Sequence, residues 1–243
     1  KIPTGFLFDL DGGGGFPGVV AYGGSSFDFS QGTGNGSNQV SSKNWLANAS
    51  YLGKTYNYTY FSQLGPKVDC ADDPTKLCYN SIILPSINGG DLNSGGTPHR
   101  GYVWYKRTGD LAINGNVNLV GDRKVVLLID GGDLTINGRI NLQDPGVGYF
   151  MTIVGKNSFG QKGNIIVDPS VTHPNQPGLE GMFLADGQFR TGAGTSKLWL
   201  KGSVVAYGGV VLQRDLGGGN STAPAEFFEY DPTLIFTYPR ELT

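Results

Sequence analysis

The sequence predicts an all-β fold: a short right-handed β-solenoid (β-helix) of about four turns, preceded by an irregular glycine-rich β region. Three observations carry this expectation. Glycine supplies 40 of the 243 residues, more than twice its usual share of about 7%. A chain so rich in the residue that tolerates positive φ is built on tight turns rather than helices. No long stretch shows the 3.6-residue period of an amphipathic helix. Finally, the C-terminal part repeats. Gly109-Asp110-Leu111-Ala112-Ile113-Asn114-Gly115-Asn116-Val117-Asn118-Leu119 returns 23 residues later as Gly132-Asp133-Leu134-Thr135-Ile136-Asn137-Gly138-Arg139-Ile140-Asn141-Leu142.

Each repeat reads as strand, sharp turn, short strand, variable loop, strand. Asn-Gly makes the turn, and the alternation of Leu111/Ile113 and Leu134/Ile136 aims one face inward. Weaker copies begin at Gly163-Asn164-Ile165-Ile166-Val167 and Lys197-Leu198-Trp199-Leu200. Third strands are expected at 125–129, 150–154, 182–185 and 210–212. Units of this length cannot bury their own apolar face, so they must stack. The loop between second and third strands lengthens along the chain, which would gather insertions at one corner of the solenoid. An antiparallel sandwich with look-alike hairpins is the alternative fold.

Three regions follow. Residues 1–98 form an irregular Gly- and aromatic-rich β region packed on the solenoid. Tyr56-Asn57-Tyr58-Thr59-Tyr60 alternates like a half-buried strand, and 85–98 reads as loop. Residues 99–226 hold the solenoid repeats. Residues 227–243 are a C-terminal cap or an assembly segment, because a solenoid end exposes strand edges that need covering.

Composition excludes several functions. Charged residues make up 16% and the net charge is -2, so there is no basic footprint for nucleic acid or an anionic membrane. No apolar run approaches the roughly 20 residues of a membrane span. The chain starts at Lys1 without a methionine or a signal peptide, as expected of a processed product or excised piece. Cys70 and Cys78 flank Asp72-Asp73-Pro74, a turn that lets one local disulfide close; a pair of free thiols is the alternative. Two histidines, His99 and His173, do not complete a zinc set. No cofactor or metal is expected. A calcium loop begun by Asp9 and Asp11 lacks further oxygen ligands at regular spacing.

Candidate sites are few. Phe6-Leu7-Phe8-Asp9-Leu10-Asp11-Gly12 resembles the first motif of haloacid-dehalogenase-type phosphatases, but Gly13 replaces the family's threonine and no α/β pattern follows. Asp110, Asp130, Asp133 and Asp168 adjoin turn residues and read as structural acids rather than a glycosidase pair. Arg123, Lys124 and Arg139 are the cations that a β-helix polysaccharide lyase would draw on, an analogy of fold alone. Catalytic residues are therefore none. Tyr56, Tyr58 and Tyr60 are candidate glycan contacts, because aromatic rings pack on sugar faces. Sequons at Asn35, Asn48, Asn57 and Asn220 are candidate glycosylation sites.

Residues 40–48 (Val-Ser-Ser-Lys-Asn-Trp-Leu-Ala-Asn), residues 212–232 and the repeat block 109–212 resemble the C-terminal, β-helix-like region of large uncharacterised secreted or surface proteins of ultra-small candidate-phylum bacteria. The resemblance implies export to the extracellular space or cell surface, and a role in attachment or a surface appendage. It brings no catalytic residues. The expected function is a non-enzymatic extracellular structural or adhesive module, such as a subunit of a surface filament or pilus. Its partners would be other copies, a host or neighbour surface, or a glycan. The alternative is a carbohydrate-binding or carbohydrate-cleaving β-helix protein.

Overall fold

A computed structural model describes residues 21–22, 49–50, 56–67, 79, 82–144 and 147–234. It is an all-β solenoid. Two short strands, β1 (Ala21–Tyr22) and β2 (Ala49–Ser50), pair in parallel ahead of it. Then comes the helix α1 (Tyr58–Leu64).

The first turn contains β3 (Ser86–Asn88), a 3₁₀ turn (Gly89–Asn93), β4 (Thr97–His99) and β5 (Tyr102–Thr108). The second has β6 (Leu111–Asn114), β7 (Val117–Leu119) and β8 (Lys124–Asp130). The third has β9 (Leu134–Ile136), β10 (Ile140–Leu142) and β11 (Tyr149–Val154). The fourth and fifth turns fuse the second and third strands: β12 (Ile165–Val167) is followed by β13 (Leu179–Ala185), and β14 (Phe189–Arg190) by β15 (Leu198–Ala206). The sixth turn has β16 (Val210–Val211) and β17 (Glu226–Glu229), which among the described residues pairs only with the Leu198–Lys201 part of β15. Six parallel first strands stack as β16-β14-β12-β9-β6-β3, so the solenoid has about six turns rather than the expected four. The two repeats that agree best in sequence are its second and third turns.

The stacking is in register. Leu111, Leu134, Ile165, Phe189 and Val210 form one inward row, each hydrogen-bonded to the next coil. Val117, Ile140, Leu179, Leu200 and Phe228 form another. Burial of these rows removes apolar surface from water at about 25 cal/mol per Å². Phe150, Phe183, Phe189 and Phe228 run as an aromatic ladder with centroid separations of 6.0, 6.1 and 6.5 Å.

Glycines make the fused strands bend. Gly181 and Gly202 pair in register at φ 132° and 144°, a region that L side chains rarely adopt. A Cβ on Gly202 would collide with the Gly181 carbonyl oxygen.

The structure corrects four readings. Insertions do not gather between second and third strands; that loop spans 120–123 and 143–148 and then vanishes as the strands fuse. The long loops at 168–178, 191–197 and 212–225 instead follow the first strand, and 155–164 precedes one. Residues 210–212 begin a turn instead of ending one, and Leu198–Ala206 supplies second and third strands. Residues 85–98 are not plain loop, since β3 and β4 lie within them. Tyr58–Leu64 is helical: Asn57 caps it by accepting the Tyr60 N–H at 3.1 Å, and Tyr58 and Phe61 bury one face.

That helix lies on the outer face of the long-strand sheet. Tyr102, Trp104, Val126, Leu128, Tyr149, Met151, Ile153 and Leu184 point away from the solenoid core yet are buried with Tyr58, Phe61, Tyr79 and Leu234. The sheet therefore carries apolar side chains on both faces.

Candidate assembly surface

The turn acids are occupied in holding one coil to the next. Asp110 accepts the Asp133 N–H at 2.9 Å. Asp133 accepts both the backbone N–H and the side-chain amide of Asn164, each at 2.9 Å. Asn164 accepts the Gln188 N–H at 2.8 Å. Asn137 donates to Asn114, and Asn116 accepts the Arg139 N–H. Asp168 accepts from Ser170 within its own turn, which holds its carboxyl below the usual range. Asp130 pairs with Lys106 at 3.2 Å.

Two of the candidate cations, Arg123 and Lys124, also have partners within the fold. Arg123 donates to the Leu92 carbonyl at 2.6 Å, the Gly95 carbonyl at 2.9 Å and the Tyr105 hydroxyl at 2.6 Å, while Tyr105 donates to the Ser94 carbonyl. Lys124 lies over the Tyr102 ring. His99 gives its carbonyl to the Trp104 indole, and His173 accepts the Asn175 N–H. Among the described residues no group of three or more His, Cys, Asp or Glu could hold a metal ion, and no helix is long and apolar enough to cross a membrane.

The three tyrosines do not form one face. Tyr58 is buried against the sheet, where burial and then the Asp130 charge push its phenol pKa up. Tyr56 and Tyr60 meet edge to face at 5.0 Å, and the Tyr207 hydroxyl donates to the Tyr56 carbonyl. Among the sequons, Asn57 is the helix cap. Asn220 is buried: its side-chain oxygen accepts the Leu216 N–H and its amide donates to Asp215 at 2.5 Å. Cys70, Cys78, Asn35, Asn48, Asp9 and Asp11 lie outside the described residues.

The two solenoid ends differ. At the N-terminal end the inward side chains are covered: Ile87 is 7% exposed, and Leu92 and Tyr105 are fully buried. The 3₁₀ turn Gly89–Asn93 packs on β7, and β4 pairs antiparallel along β5 with Pro98 in its middle, a residue that blunts a strand edge. Arg123 and Tyr105 tie these pieces together. Ile83 and Leu84 protrude just before β3 beside a shallow cleft of about 230 Å³.

At the C-terminal end the same inward rows stop uncovered. Val210 is 46% exposed, Leu212 51% and Phe228 41%, although Val210 continues the Phe189 row and Phe228 the Leu200 row. Among the described residues β16 pairs only with β14 and β17 only with β15, so each keeps a free edge. Residues 230–234, which follow β17, turn away from this end. Asp231 turns back to Lys201 at 3.6 Å, and Leu234 joins the cluster on the outer sheet face. The core cross-section thus faces outward beside unpaired strands, the combination that marks an association surface.

One more feature lies on the outer side of the second strands. Trp199 and Phe227 are half-buried neighbours with ring centroids 5.6 Å apart, and Lys197 sits 4.6 Å from the Phe227 centroid. The Trp199 indole donates to Glu229 at 2.9 Å. Neither a family model, nor a curated protein, nor a solved structure matches this chain.

Proposed function

We propose that the chain is a non-enzymatic extracellular module of the cell surface, structural or adhesive, that works by docking the C-terminal end of its solenoid onto another protein. The observation behind this reading is the uncovered inward row Val210, Leu212 and Phe228 beside the free edges of β16 and β17. Apolar side chains and strand edges both gain by pairing with a further strand. In support, the turn acids Asp110, Asp133 and Asp168 and the cation Arg123 make hydrogen bonds within the fold. Two measurements test the reading. Antibody raised against the chain should label intact source cells without permeabilisation, and labelling only after lysis would sink the surface location. A Val210→Asp/Leu212→Asp double variant should keep its circular dichroism and lose retention on source-cell envelopes. Unchanged retention would remove the end from the interaction.

The carbohydrate reading has one observation in its favour, the outward Trp199–Phe227 pair with Lys197 and Glu229 beside it. Aromatic rings bordered by hydrogen-bonding groups suit sugar faces. A glycan array decides: binding lost in Trp199→Ala favours it, and an empty array ends it.

A further inference from the structure

We infer that the occupant of the open end is a second copy of this chain, docked end to end about a two-fold axis that passes through β17. This rests on the reading that the C-terminal end is the docking surface, and it names the partner.

The argument begins with closure. A head-to-tail stack would place the open end of one molecule on the N-terminal end of the next and grow without limit. At that N-terminal end the middle column is shut by the 3₁₀ turn Gly89–Asn93, and β4 with Pro98 covers the Tyr102–Trp104 part of β5. Among the described residues β3 and the Tyr105–Thr108 stretch of β5 keep an edge there, and the middle column keeps none, so β17 finds no mate at that end. The C-terminal end offers β16, β17 and the Ser203–Ala206 stretch of β15 in the same cross-section. The surface best matched to the open end is therefore another open end.

A two-fold axis perpendicular to the solenoid reverses the winding of the second copy, so every edge meets its mate antiparallel. With the axis through β17, β17 pairs with itself, and the β16 edge of each copy meets the Ser203–Ala206 edge of the other. That brings Val210 and Leu212 toward Val204 and Ala206, which are inward but only partly buried.

Side-chain phase selects the register. Phe228 points inward and its neighbours Phe227 and Glu229 point outward, as their pairing with Leu200, Trp199 and Lys201 requires. Directly opposed residues in an antiparallel pair share a face. An axis centred on Phe227 sets Phe228 against Glu226 in the core. Centred on Glu229, it opposes two like charges, which is unfavourable. Centred on Phe228, it joins the two Phe228 rings, continues the Phe150–Phe183–Phe189–Phe228 ladder into the second molecule and sets Phe227 opposite Glu229. Only this register extends the core.

The test uses the full chain. In sedimentation velocity at tens of micromolar the wild type should run at twice the chain mass, and Phe228→Asp should weaken association by about a hundredfold or more with unchanged circular dichroism. Ile83→Asp, at the opposite end, should leave the mass unaltered. Phe228→Cys adds an independent readout. Opposed residues on antiparallel strands have Cα atoms about 4.5–5.5 Å apart, within disulfide reach. Mild oxidation should therefore yield a covalent dimer whose cross-link maps to 228–228, absent from the wild type with its Cys70 and Cys78. A strictly monomeric wild type overturns the second copy as occupant, while docking of the end to source envelopes still stands if the Val210→Asp/Leu212→Asp variant loses retention. Open-ended filaments broken by Ile83→Asp, or a cross-link at another position, overturn the two-fold arrangement.

Discussion

Asp110 and Asp133 occupy the same corner in successive coils, and the carboxylate of the first accepts the backbone N–H of the second at 2.9 Å. The Gly-Asp-Leu signature of the repeat is thus a clamp passed from coil to coil. Each acid satisfies an amide that the turn would otherwise leave without a partner. Lys162 closes the far side of Asp110 at 2.7 Å, and with the Asp133 amide it draws the Asp110 carboxyl below its usual pKa.

Asp133→Ala tests the clamp where it is best supplied. Asp133 receives two bonds from Asn164, and its removal leaves both donors without that partner. We expect a loss of roughly 1–3 kcal/mol, read as a fall in the denaturation midpoint with an unchanged m-value. Asp133→Asn retains an acceptor oxygen and should recover most of the loss. Equal damage by both variants would show that the charge, not the hydrogen bond, is what matters.

Stability should peak in mildly acidic solution because the carboxylates fall into two groups. Burial raises the pKa of Glu180 and of Asp186. Their contribution is complete below the unfolded value of about 4 and is lost as pH rises through their folded values. Asp110, held down by Lys162, Asp168, held down by Ser170, and Asp215, held down by the Gly217 N–H, behave oppositely. Their contribution is present above about pH 4 and is lost as pH falls through their depressed values. The melting temperature should rise from neutral pH toward the acid side and then fall. Glu180→Gln keeps an acceptor for the Leu142 N–H that Glu180 holds at 2.7 Å, so it should flatten only the neutral limb. A profile unchanged by that substitution would assign the limb to other groups.

Thr152 stands in an inward row between Leu127 and Phe183. Its hydroxyl is buried without a hydrogen-bond partner, and a buried unpaired polar group costs about 1–3 kcal/mol. Thr152→Val keeps the shape and removes the hydroxyl. We expect the protein to gain about 1 kcal/mol in chemical denaturation. A loss instead of a gain would reveal a partner for the hydroxyl.

The sequence made the second and third turns legible because their corners are short and their Asp, Asn and Gly positions coincide 23 residues apart. Legibility failed where chemistry was sparse. β14 has only Phe189 and Arg190, too few residues to alternate, which hides the fifth turn and shifts the strands expected after it by one column. Trp199-Leu200-Lys201-Gly202 imitates the start of a repeat, yet Gly202 marks the bend between second and third strands. The stretch Tyr56–Tyr60 alternates polar and aromatic as a strand would, but Tyr58 and Phe61 share a helical face and Asn57 supplies the cap. The open end is legible only as a segment, 227–243, that reads as a cap or an assembly segment. Its exposure depends on what stacks above it, which pattern alone does not state.

Arg214 tests how the long corner loops are held together. It is 3% exposed, and its guanidinium donates to carbonyls of Thr191 at 2.8 Å, Pro169 at 2.6 Å and Asp168 at 3.0 Å. One side chain from the sixth turn thereby binds loops of the fourth and fifth. Glu226 completes the arrangement by accepting the backbone N–H groups of Gln213 and Arg214 and the Thr191 hydroxyl. Arg214→Ala leaves several carbonyls buried without donors, and we expect a cost of about 3–5 kcal/mol. Lysine keeps the charge but lacks the planar fork that reaches separate carbonyls, so Arg214→Lys should rescue little. The damage should be local first, because within 168–178 and 191–197 only Val171 joins the apolar core. Limited proteolysis of Arg214→Lys should cut within 168–178 or 191–197 before the stacked strands of the second and third turns open. Cleavage starting in those inner turns would show that Arg214 supports the whole solenoid rather than its corner.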